Sequence, residues 1–128
     1  MARILHWKNL LNGTKIIINV EMERIIVKII TLCGSLKFKK EMMIIAEKMA
    51  LEGNCIITPV YPVLENYERT NKQLEKLKEA HFKKIELSDA ILVVNVNNYI
   101  GNSTNLEIEY AEKLGKEIIY YTDLISKD

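Results

Sequence analysis

The chain has 128 residues, enough for one domain with a real core, since a domain of this size hides roughly two-thirds of its unfolded surface. Lys plus Arg number 18 against 17 Asp plus Glu, so no overall field favours a nucleic-acid polymer or an anionic membrane, and an anionic ligand must be held locally. The two cysteines, Cys33 and Cys55, have neither the number nor the spacing of a disulfide framework or a zinc site, and a reduced pair fits the cytosol. No metal and no cofactor are expected. The opening MARILHWKNLLNG is too short and broken for a signal peptide, and no run reaches the roughly 18 apolar residues of a spanning helix, so the expectation is a cytoplasmic protein without membrane contact.

Residues 1 to 21 mix a helix-like Ile4-Leu5-Trp7-Leu10-Leu11, the turn dipeptide Asn12-Gly13 and a strand-like Lys15 to Val20. They are expected to form an N-terminal extension, either an added edge strand or an upstream segment before a natural start at Met22, with the domain proper at 22–128. Glu23 to Leu32 is a nearly continuous Ile/Val run, expected as the first central strand. Cys33-Gly34-Ser35 then turns into a helix over 36–51, with Phe38, Met42, Ile45 and Met49 at helical spacing. Gly34 lets backbone approach a ligand, and Ser35 with the first amides can present donors to a phosphate; the same two residues equally make a plain tight turn and N-cap.

Gly53-Asn54 ends that helix, and 55–58 is expected as a second strand. Both prolines of the chain fix the loop Pro59-Val60-Tyr61-Pro62 that follows, where Tyr61 can stack on a base or simply pack locally. A long charged helix is expected over 67–87, its apolar stripe running Leu74, Leu77, His81, Ile85, Ser88, with Lys78, Lys83 and Lys84 pointing outward. An inward histidine is either a satisfied core residue or a proton-transfer group tuned near neutral pH.

Ala90 to Val96 reads as a third strand, alternating Ile91, Val93, Asn95, Asn97 on one face with Leu92, Val94, Val96 on the other. A polar loop carries Tyr99, Gly101 and Ser103 into a helix over 104–114, Gly115 stops it, and 117–121 is a fourth strand. Thr104-Asn-Leu-Glu107 reads as a capping box, with threonine at the N-cap and glutamate three residues on. The alternative is that Glu107 is a reactive carboxylate, kept ionised by the helix N-terminus. Together these elements predict a flavodoxin-like or Rossmann-like α/β three-layer sandwich with parallel strands in the order 2-1-3-4. Ligands of such sheets bind beyond the carboxyl ends of the strands.

The ordered set His81-Phe-x-Lys-Ile85, Asp89, Asn95-Val, Tyr99-Ile-Gly101, Ser103-Thr104 and Glu107-Ile-Glu-Tyr-Ala111 resembles the nucleoside 2-deoxyribosyltransferase superfamily, most closely its small bacterial branch. The resemblance runs over about residues 23 to 121 and is strongest from 81 onward. It implies Glu107 as nucleophile, chemistry that suits a carboxylate facing an oxocarbenium-like glycosyl centre. It places His81, as acid or base-holder, where better-known members have an aspartate eight positions before the strand-opening Asp89. Glu109 stands where those members have a small residue. Gly34, Ser35, Tyr61, Asn95, Tyr99, Gly101, Ser103 and Thr104 are then expected around the base, sugar or phosphate of a nucleoside or nucleotide. The implied activity is an N-glycosidase or deoxyribosyltransferase, in a homodimer or larger assembly whose subunits complete each other's pockets. The alternatives are a non-catalytic nucleotide-binding sensor of the same fold, or an assembly protein using the charged helix.

Overall fold

The structure, a computed structural model, describes residues 27–125 apart from Glu65 and Tyr67. The expectations for residues 1–21, for a domain start at Met22 and for the opening of the first strand lie outside the described residues. Within them, the Ile/Val run becomes strand β1, Ile29–Cys33, buried from Ile30 onward. It lies between β2, Cys55–Ile57, and β3, Ala90–Val93, and β3 pairs with β4, Glu117–Tyr120. All three pairings are parallel, in the order β2-β1-β3-β4, which is the topology expected of this flavodoxin-like or Rossmann-like three-layer fold. Asp89 sets the register at the amino end, its carboxylate accepting from the Ile29 amide at 2.8 Å.

Helix α1, Lys39–Leu51, covers one face. Met42 and Ile45 pack there on Ile30, Leu32, Leu92 and Val94. Helices α2, Asn71–Leu87, and α3, Asn102–Lys113, cover the other. Ile85, Ile108 and Ala111 pack there with Cys33, Ile91 and Val93. The period-two alternation of β3 therefore divides the core between the two faces.

Five details depart from the sequence expectation. β3 ends at Val93 rather than Val96, because Asn95 leaves the extended region and Asn97 and Asn98 adopt positive φ, a left-handed conformation that asparagine tolerates better than most residues. α2 starts at Asn71 rather than 67, since Thr70 and Gln73 form a complete capping box. α3 starts at Asn102 with extended Gly101 at its N-cap, which puts Thr104 inside the first turn and Glu107 beyond it; the Thr104–Glu107 capping box does not form. Lys84 does not point outward, because its ammonium donates to the Thr58 carbonyl at 2.8 Å. A short helix α4, Tyr121–Ile125, which the sequence did not suggest, follows β4.

Candidate functional site

A cavity of about 830 Å³ opens beyond the carboxyl ends of the strands, within the range of small-molecule sites. Gly34 and Ser35 after β1, Pro59 and Val60 after β2, and Tyr99 and Gly101 after β3 reach it, as do the inner side of α2 and the first turns of α3. Glycine suits this turn: a Cβ at position 34 would lie 3.1 Å from the Val94 carbonyl oxygen and 3.4 Å from its Cβ, so the neighbouring backbone would have to give by a few tenths of an ångström. Ser35 turns the chain into α1, its hydroxyl accepting from the Lys37 amide at 3.4 Å. Tyr99 stands edge-on to Phe38, with the Lys37 ammonium 3.3 Å from its ring centroid.

At the cavity floor three side chains from three elements converge. Cys33 ends β1, His81 comes from α2 and Glu107 from α3. The His81 Nε2 lies 3.5 Å from the Cys33 Sγ and 3.5 Å from the Glu107 Oε1. His81 and Glu107 also line the cavity, although only 11% and 18% of their side-chain surface is exposed. The position of His81 is fixed from below. Two turns on, the buried Ser88 hydroxyl donates to the Lys84 carbonyl at 2.7 Å and accepts from Thr31 at 2.6 Å, pinning the end of α2 to β1.

Burial dominates the electrostatics. It pushes Glu107 up to about 7, against a smaller pull downward from the Cys33 thiol. The helix N-terminus does not keep this carboxylate ionised as expected, since a dipole effect fades beyond the first turn and Glu107 lies past it. Burial, helped by Lys84, lowers His81 to about 4. Burial and then Glu107 raise the Cys33 thiol. Although the His81–Glu107 distance is within ion-pair range, burial disfavours the charged form of both groups and so works against an ion pair. The cluster is not a catalytic triad. In a triad the acid and the nucleophile meet opposite ring nitrogens, and here both partners meet Nε2.

Of the residues singled out from the sequence, Glu107, His81, Gly34, Ser35, Tyr99, Gly101, Ser103 and Thr104 all border the cavity. Tyr61 and Asn95 do not. Tyr61 packs against the α1-side core, its hydroxyl buried without a hydrogen-bond partner. Asn95 is buried and spends its amide on Thr122, donating to its hydroxyl at 3.1 Å and accepting from its amide at 3.2 Å, which ties the end of β3 to α4. Sequence reasoning missed Cys33, although it directly precedes Gly34-Ser35 at a strand's carboxyl end. It also missed Arg69, Lys78 and Asn102 on the cavity wall, because polar residues on a charged helix and its approach look like a solvated face.

No protein-family model matches the sequence, and no curated protein matches it either. Among the described residues no helix is long and apolar enough to cross a membrane.

Proposed function

We propose that this protein cleaves or transfers the base–sugar bond of a nucleoside or nucleotide, with Glu107 as nucleophile. The observation that supports this most is a carboxylate at the floor of a cavity beyond the strand ends, next to a histidine and bordered by the residues of the resemblance. The walls suit such a substrate: Leu74, Leu77 and Tyr99 offer apolar surface to a base, Asn102 and Ser103 offer hydrogen bonds to a sugar, and Arg69 and Lys78 offer cations to a phosphate. In the first step the Glu107 carboxylate forms a bond to the anomeric carbon as the carbon–nitrogen bond breaks; the base leaves with the electron pair and takes a proton from solvent. Water or an acceptor base then attacks the glycosyl ester and frees Glu107. His81, neutral at pH 7, holds the base or the carboxylate rather than acting as the acid.

One observation favours a second reading. A glutamate raised to about 7 is largely protonated in mildly acidic conditions and cannot attack, so the same pocket would then hold a nucleotide without cleaving it. Incubating the protein with nucleosides and nucleoside monophosphates at pH 8, and following free base by chromatography, separates the two. Release that disappears in Glu107→Gln supports the enzyme, whereas saturable binding with no release supports the sensor. In this reading the protein works in the cytoplasm as a homodimer or larger; sedimentation showing only monomer at micromolar concentration would remove the shared-pocket part of it.

A further inference from the structure

We propose that Cys33, His81 and Glu107 form a three-ligand site for a zinc-type divalent transition ion, with the fourth coordination position facing the cavity. The argument begins with hydrogen bonding. The Nε2 of a neutral imidazole is either a donor or an acceptor, so it can serve one partner well. Here it has two partners, each at 3.5 Å, an ordinary length for a contact to sulfur but long for one between nitrogen and oxygen. Three groups of different chemistry thus share one point, and Nε2 can bond only one of its two partners at a time.

A metal ion at that point would satisfy all three. A tetrahedral ion with a sulfur ligand at about 2.3 Å and nitrogen and oxygen ligands at about 2.0–2.1 Å holds sulfur and nitrogen about 3.5 Å apart, and nitrogen and oxygen about 3.4 Å apart. The observed edges are both 3.5 Å, and all three donor atoms lie within 4.8 Å of one another. The remaining sulfur–oxygen edge needs at most about 1.3 Å of closure toward the tetrahedral value, within reach of a rotation of the Glu107 side chain. The donor set selects the class of ion: a thiolate and an imidazole suit zinc or cobalt, whereas magnesium and calcium prefer oxygen ligands alone. Three protein ligands with one open position is the pattern of a site that handles a substrate or a water rather than one that only braces a fold. Binding requires the thiolate, so the Cys33 proton leaves to the buffer as the sulfur–metal bond forms.

The site competes with the glycosyl chemistry proposed above, because a Glu107 that ligates an ion cannot attack a sugar. The two can fail separately: base release is measured in chelator-treated protein, and ion binding is measured without any substrate. The probe is Co²⁺, added to the chelator-treated full chain. The expected result is a near-ultraviolet thiolate-to-cobalt absorption that saturates at one ion per chain, disappears in Cys33→Ser and is unchanged in Cys55→Ser, whose side chain is exposed and distant from the cavity. Glu107→Gln and His81→Ala are expected to weaken binding by roughly a hundredfold or more, since even losing a group that supports a ligand costs 10–100-fold. No such absorption in folded wild-type protein at saturating Co²⁺, or an absorption that follows Cys55, overturns the proposal. Should Cys33→Ser not fold, X-ray absorption of the zinc-loaded wild type decides: one sulfur at about 2.3 Å supports the site, and a shell without sulfur overturns it.

Discussion

Glu107 and His81 resist charge in opposite senses, and the two resistances offset each other in acid. Glu107 titrates near 7 instead of 4.5, so its contribution to stability is complete below about 4.5 and is lost as the pH rises through 7. His81 titrates near 4 instead of 6.5, so its contribution is complete above about 6.5 and is lost as the pH falls through 4. Between those limits the slopes have opposite sign and similar size. Chelator-treated wild type should therefore draw almost no pH dependence of melting from this pair. Glu107→Gln keeps only the histidine, and is expected to gain stability from about pH 4 to 6.5, by up to about 3 kcal/mol. Denaturant melts at intervals of half a pH unit would show it; equal slopes in the two proteins would mean that the groups are not buried as described. The same titration sets the activity. Base release in chelator-treated protein should rise with pH through about 7 as Glu107 ionises, and Glu107→Gln should lower it about a thousandfold or more at every pH while melting normally. Seen from single residues, the sequence disclosed the carboxylate and the histidine but not the cysteine. Periodicity and motif order point to one face of one element at a time, and the Cys33 contact joins elements far apart in the chain.

The helices differ in how well their sequences announce them. Gly115, at φ +71, ended α3 where a left-handed glycine was expected to. The start of α2 was misjudged because the charged stretch before it has the same composition as the helix, and only the Thr70-Asn-Lys-Gln73 spacing separates them. That spacing is where the stability lies: Thr70→Ala removes the acceptor for the Gln73 amide, 3.1 Å away, and should cost about 1 kcal/mol, measured by urea unfolding. An effect near zero would mean that the helix starts elsewhere. The start of α3 was misjudged for the converse reason. Thr104 and Glu107 have capping-box spacing, but Gly101 already supplies the N-cap, and Thr104 is buried. A local motif gave way to the turn that brings Tyr99 and Gly101 to the cavity.

For the molecule as a whole, the fold was plain from four apolar runs alternating with helical stretches, with glycine or proline marking the turns, and the expected strand order 2-1-3-4 is the one the sheet has. The cavity was legible only as a location, since its α2 wall is built from residues whose composition looks solvent-facing. The strand-forming Ile/Val run and the resemblance both begin after Met22, so a chain lacking residues 1–21 is expected to unfold cooperatively still. A loss of several kcal/mol on truncation would assign that segment to the sheet or to an interface.

The cavity floor and its rim belong to different parts of the fold. The floor hangs from the end of β1, an inner strand almost wholly buried, and from the inward faces of α2 and α3 packed beside it. The rim after β2 carries Val60, and the same loop runs on through Val63 and Leu64, all largely exposed. In hydrogen exchange, amides of the inner strands become available to solvent only when the whole domain opens, whereas those of the rim are released by small local excursions. A bound ligand would therefore slow deuterium uptake most along the rim, with little further to gain at the floor, and the donor atoms below it would keep their spacing while the entrance above them opens and closes.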